Sequence, residues 1–94
     1  MGQEKEYSVT YHRLVFGEVA GLDSFWRKQI LSAIEGKLLI QPELFGKPLR
    51  QSLKGHRSLR VGDYRVVYRI EKRTVRIIAI VHRSSKYKGI EKRM

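Results

Sequence analysis

Hydrophobic and polar residues alternate with period two at the start of the chain and again through most of its second half, with helical periodicity between. From Glu6 to His12 (EYSVTYH), Tyr7, Val9 and Tyr11 alternate with Glu6, Ser8 and Thr10, which predicts a first strand. Arg13 to Ala20 predicts a short helix with Val15 and Val19 four apart, although Gly17 weakens it. Asp23 and Ser24 both suit the N-cap of the next helix. There Trp26, Ile30, Ala33 with Ile34, and Leu38 recur at helical spacing, and Gln41-Pro42 ends the run because proline cannot continue it. Trp26 and its stripe read as core.

The stretch from Pro42 to Gly55 (PELFGKPLRQSLKG) reads as a connector punctuated by Gly46 and Pro48, with Leu44, Phe45, Leu49 and Leu53 pinned to the core. Three strands follow in close order. Residues 57–61 lead through a Gly62-Asp63 hairpin turn into residues 64–70. Glu71-Lys72-Arg73-Thr74 reverses the chain into residues 75–81, whose run VRIIAIV is apolar on both faces and belongs at the centre of a sheet. After Arg83 the chain turns polar (SSKYKGIEKRM) and reads as a short helix or a loose basic tail. The expected fold is one α+β domain over residues 1–94, with two N-terminal helices packed on one face of a small antiparallel sheet.

Strand periodicity sorts the second half into faces. Tyr64, Val66, Tyr68 and Ile70 suit the helix-covered side, as do Leu59, Val61, Val75, Ile77, Ala79 and Val81. Arg60, Arg65, Arg69, Arg76 and His82 then gather on the open side with Ser58, Ile78 and Ile80, framed by Arg83 and Tyr87.

Composition changes the picture mainly through charge. The 94 residues carry 20 Lys and Arg against nine Asp and Glu, a net charge of +11. Such an excess costs stability by self-repulsion and points to an anionic partner, with nucleic acid first. Between Leu53 and Tyr87 only Asp63 and Glu71 are acidic, whereas a merely solvated face mixes both signs. Cysteine is absent, which excludes disulfides and thiolate metal sites and fits a cytoplasmic protein. No apolar run approaches a membrane span, and the polar Met1–Glu6 segment does not read as a secretory signal.

A face of arginines suits a phosphodiester chain, because the guanidinium fork holds two phosphate oxygens at once. Cleaving RNA requires removal of the 2′-hydroxyl proton, charge relief at phosphorus and a proton for the leaving oxygen. Arginine serves the second need. His82, His56 and Tyr87 are the nearby groups able to move protons. No carboxylate cluster is present to hold Mg²⁺, so neither a metal nor another cofactor is expected. Asp63 reads as a turn residue, and His12 has no assigned role.

FGKPL (45–49), LKG (53–55), LRVGDYRVVYRI (59–70) and the terminal His82-Arg83 with Tyr87 together resemble the RelE/ParE superfamily of type II toxins, over nearly the whole chain. The resemblance implies a RelE-like fold and, in the RelE branch, a metal-independent endoribonuclease that cuts mRNA in the A site of the 70S ribosome. The ParE branch inhibits DNA gyrase instead, and a non-catalytic RNA- or ribosome-binding module is a third expectation. By this resemblance Arg60 and Arg65 hold the scissile phosphate, and Arg83 stabilises developing charge with His82 assisting the leaving group. Tyr87 orients a base. Lys47, Arg50, Lys54, Arg57, Arg69, Arg76 and Lys86 are then expected to bind RNA. One departure stands out. The first of the family's paired basic positions falls on Ser58, with Arg57 or Lys54 close enough to substitute, and the Glu base of a related branch has no counterpart. The resemblance also implies a RelB-like cognate antitoxin, with operator DNA bound indirectly through it.

Overall fold

The computed structural model describes residues 7–94, so Glu6 in the predicted first strand and the reading of Met1–Glu6 lie outside it. The chain runs β1 (Ser8–Tyr11), α1 (Arg13–Ala20), α2 (Ser24–Ala33), α3 (Pro42–Phe45), β2 (Lys47–Pro48), β3 (Arg57–Val61), β4 (Tyr64–Glu71) and β5 (Thr74–His82). The strands form one sheet in the order β1-β5-β4-β3-β2. β3, β4 and β5 are antiparallel neighbours, as the hairpin signals predict, and β2 adds an antiparallel edge to β3. β1 alone pairs in parallel, against β5. It is separated from β5 by the whole helical and hairpin region, and a long crossover permits that pairing where a tight turn would not.

Local chemistry sets the helix ends. The His12 Nδ1 accepts the Leu14 N–H at 3.1 Å and caps α1. Asp23, rather than Ser24, caps α2 by accepting the Trp26 N–H at 3.0 Å. The helix predicted to run to Leu38 does so, but its last turn (Ile34–Leu38) is a π-helix. The predicted connector is more structured than its punctuation suggests, containing α3, the edge strand β2 and a 3₁₀ turn at Gln51–Leu53.

Ile30, Ile34 and Leu38 from the helices meet Leu59, Val66, Tyr68, Val75, Ile77 and Ile80 from the sheet to form the main core. Tyr68 is fully buried, and its hydroxyl donates to the Pro42 carbonyl at 2.6 Å. The ring passes so close to Gly46 that a Cβ there would collide with it. That contact explains the glycine of the FGKPL motif. Gly62 has φ +59° in the β3–β4 turn and lies against the Trp26 ring, so a side chain is excluded twice over.

β5 corrects the face assignment. Its register against β4 slips between Val67 and Tyr68, pairing Val67 with Ala79 but Tyr68 with Ile77, so Ile78 is an extra residue in a bulge. Beyond the bulge the alternation is inverted. Ile80 therefore joins the helix-side core, whereas Ile78 and Ala79 pack on the opposite face with Leu53, Val67 and Ile90. A one-residue slip moves every later side chain to the other face, and a period-two reading carries no sign of it. The C-terminal residues are not a loose tail: Ile90 is 2% exposed and closes the second cluster. The edge of β5 beyond its pairing with β1 is held by side chains. Glu18 accepts the Ile80 N–H at 2.9 Å, and Arg93 donates to the Ile78 carbonyl at 3.1 Å while pairing with Glu18 at 2.7 Å.

Candidate nucleic-acid interface

The second apolar cluster divides the supposedly open face into two ends. Val67 lies between Arg65 and Arg69 on the same face of β4 and is fully buried. Arg69 and Arg76 face each other across β4 and β5 at one end, where Arg69 pairs with Glu71 at 3.0 Å. His56 is buried near them, and burial holds its imidazole below the ordinary histidine range. The Arg69 and Arg76 guanidiniums act in the same direction, while the Lys54 backbone and Glu71 oppose it. These residues line neither of the clefts at the opposite end.

At that opposite end Arg60 and Arg65 are direct cross-strand partners. The Arg65 Nη1 donates to the Tyr87 hydroxyl at 3.3 Å, and that hydroxyl donates to Ser58 Oγ at 2.9 Å. Lys86 and Tyr87 both have left-handed backbone, φ +54° and +62°. Non-glycine residues hold that conformation only when their surroundings compensate, here by the Tyr87 hydrogen bonds and the packing of its ring against the second cluster. Arg83 sits beside the β3–β4 turn. Its N–H donates to the Asp63 carbonyl at 2.8 Å, and its guanidinium stands 3.8 Å from the Asp63 carboxylate, so Asp63 anchors an arginine besides making its turn.

Two adjoining clefts share Arg65 and Tyr87 as their common wall. One, of about 260 Å³, is completed by Val81, His82, Arg83 and Lys86. The other, of about 490 Å³, is lined by Lys47 and Arg60 together with Phe45, Pro48, Leu49, Ser58 and Leu59. Neither has a carboxylate in its lining. Among the described residues no group of three or more His, Asp or Glu side chains is arranged to hold a metal ion.

Arg60, Arg65, Arg83, Tyr87, Lys86 and Lys47 are thus brought together. The other predicted residues are placed differently. Arg57 is on the helix side opposite Tyr68, and its Nη2 donates to the carbonyls of Glu43 and Gly46 at 2.9 and 2.6 Å. It ties α3 to the sheet and cannot substitute for the basic residue absent at position 58. His82 is turned by the bulge to the helix side, against the Tyr64 ring at 5.3 Å. Its Nδ1 accepts the Ser84 N–H at 3.2 Å, and it still lines the smaller cleft. Arg50 and Lys54 are exposed but line neither cleft. The apolar wall of Phe45, Pro48 and Leu49 was not foreseen as part of a site, although those residues flank Lys47 within FGKPL.

Fold and cleft together define a small basic protein whose arginine-lined clefts, without a carboxylate in their walls, suit a polyanion. The chain belongs to the ParE toxin family of type II toxin–antitoxin systems, whose family model matches residues 9–87. It is similar to two toxins of Mycobacterium tuberculosis, Toxin RelE (51% identical over 55 residues, 56% of this chain) and Toxin RelG (46% over 55 residues, 56% of this chain). The chain spans 57% and 63% of the lengths of these two relatives. Its fold is similar to that in the RelBE2 toxin–antitoxin complex of the same organism, with TM-score 0.78 and 30% identity over 90% of this chain and 100% of that one. No helix among the described residues is long and apolar enough to cross a membrane.

Proposed function

We propose that this chain is the toxin of a type II toxin–antitoxin pair and acts in the cytoplasm as a ribosome-dependent, metal-independent endoribonuclease that cuts mRNA in the A site. The observation that carries the proposal is the convergence of Arg60, Arg65, Arg83 and Tyr87 on two adjoining clefts with no carboxylate in their walls. Arg60 and Arg65, opposite each other across two strands, grip the scissile phosphate and its neighbour. As the 2′-oxygen, its proton passed to water or to a ribosomal group, attacks phosphorus and the bond to the 5′-oxygen breaks, Arg83 offsets the charge that accumulates there. His82 in its protonated form, with Nδ1 donating to Ser84 Oγ at 2.9 Å, gives its Nε2 proton to the leaving oxygen and is left neutral. Tyr87, held by Ser58 and Arg65, stacks on an unpaired base. The absence of a carboxylate base from the clefts fits a reaction that is completed only on the ribosome.

A cognate antitoxin of the RelB kind would cover this end of the molecule. The net charge of +11 suits an acidic partner, and the similar Mycobacterium toxin was solved in complex with its antitoxin. Operator DNA would then be bound mainly through the antitoxin.

Gyrase inhibition, the activity of the ParE branch, is the second reading. Primer extension on an mRNA under translation in a purified bacterial system separates the two. Cuts at fixed codon positions on translating ribosomes, absent from ribosome-free mRNA, are expected. An intact message with inhibited DNA supercoiling would replace the proposal with the gyrase reading. Ribosome binding without cleavage or supercoiling inhibition would leave a non-catalytic binding module.

A further inference from the structure

A third groove, of about 440 Å³, adjoins the larger cleft and shares Arg60 with it. Its walls are the last turns of α2 and the π-turn after it, through Gln29, Ser32, Gly36 and Lys37, and the end of β3 with the following turn. No carboxylate lines it. Arg60 is bent toward this side, because its Nε donates to the Gly62 carbonyl at 3.2 Å. β2 pairs only with Arg57 and Ser58, so the outer edge of β3 from Leu59 onward is not covered by that strand. The groove therefore combines a cation on each wall with polar side chains of α2. Gly36 and Lys37 of this wall lie in the π-turn that follows α2, an irregularity that often marks a functional position in a helix.

The three depressions form a continuous series. Arg65 and Tyr87 join the first to the second, and Arg60 joins the second to the third. Lys86, Arg83, Arg65, Lys47, Arg60 and Lys37 supply cations along its length. A phosphate held between Arg60 and Arg65 has neighbours on both sides. One faces Arg83 and Lys86, and the other faces the α2 groove. Resting on the RNA reading above, we infer that the substrate strand continues past Arg60 into this groove, with Lys37 binding a phosphate and Gln29 and Ser32 contacting the sugar or base. The helix α2 then has a binding role besides its place in the core.

The test is fluorescence anisotropy with 2′-O-methyl single-stranded oligonucleotides, which bind without being cut, in lengths of about three and about nine nucleotides. Wild type, Lys37→Gln, Lys37→Arg and Arg65→Gln are titrated over a tenfold range of salt. One phosphate contact to a single strand contributes about 0.7 to the slope of log affinity against log salt. Over that range Lys37→Gln should therefore lose about fivefold less affinity for the longer strand than wild type does. Its binding of the short strand should be unchanged, and Lys37→Arg should restore the wild-type slope. Wild-type affinity and slope in Lys37→Gln, alongside weakened binding in Arg65→Gln, would overturn the extended path and leave the cleft intact. Wild-type behaviour in both glutamine variants, or no saturable binding by wild type, would overturn the extended path, and primer extension on translating ribosomes then decides the RNA reading separately.

Discussion

The Tyr87 hydroxyl donates to Ser58 Oγ at 2.9 Å, across 29 residues of sequence, at the position where the family resemblance leads one to expect a basic residue. Ser58 is 9% exposed and lies beneath the tyrosine rather than beside a ligand. The same hydroxyl accepts from Arg65 at 3.3 Å. Its proton and its lone pair are therefore both assigned, and the ring is held over the common wall of the two clefts. A cation at position 58 would compete for phosphate; the serine instead orients the aromatic.

Ser58→Ala should release the ring while leaving the core filled. A single neutral hydrogen bond contributes about 1 kcal/mol, so cleavage should fall about fivefold. The cleavage rate on translating ribosomes reads this, and Ser58→Thr, which keeps the hydroxyl, should recover most of it. An unaffected rate in Ser58→Ala would detach Tyr87 orientation from activity.

Arg65→Ala and Arg83→Ala should each reduce cleavage by about 10²–10³-fold, the usual cost of removing a charge-stabilising donor. Arg83 has 58% of its side chain exposed and faces Asp63 at 3.8 Å, so its loss should not disturb folding. Arg65 supports Tyr87 as well, and its replacement should loosen that ring. Far-ultraviolet circular dichroism should be unchanged in both variants. Loss of the folded spectrum would show the arginines to be structural.

Two glycine replacements should have opposite signs. Gly17 lies within α1 with open space around it, so Gly17→Ala should stabilise by about 0.5–1 kcal/mol. Gly46→Ala forces a methyl group into the fully buried Tyr68 ring and should cost about 1–3 kcal/mol. For a domain of this size 1 kcal/mol moves Tm by about 4–8 °C, so calorimetry separates the two easily. Equal shifts would refute the packing account of FGKPL.

His56 should make the fold sensitive to acid. Its imidazole is held below the ordinary histidine value of 6.5, first by burial and then by the Arg69 and Arg76 guanidiniums. As pH falls through that value, the unfolded chain takes up a proton that the folded chain resists. Stability is therefore unaffected by this group well above pH 6.5 and declines below it, until the folded-state pKa is reached. His56→Gln carries no such proton and should show a smaller drop in Tm between about pH 7.5 and about pH 5.5. Parallel pH profiles would remove His56 from the account.

Periodicity and punctuation were sufficient for most elements: the β1 alternation, the helical stripe to Leu38 and the Gly62-Asp63 hairpin lie where local chemistry requires, whereas Pro42 opens α3 and the connector's α3 and β2 were not legible. Such signals are short-range, set by propensity, capping and turn geometry within a few residues. A run nearly free of carboxylates marked a basic face without coordinates, and the resemblance to the RelE/ParE superfamily singled out Arg60, Arg65, Arg83 and Tyr87. Three matters were decided only in three dimensions. The bulge at Ile78 sent His82 to the helix side, since inserting one residue inverts a period-two pattern without leaving a mark in it. Arg57 went to the carbonyls of Glu43 and Gly46, because a buried donor takes the acceptors that folding brings to it. Ile90 returned from the chain's end to cover the middle of the second face, separating Arg69 and Arg76 from the cleft. Charge and element type belong to the sequence; which arginines share a cleft depends on register and long-range packing, which only the assembled sheet determines.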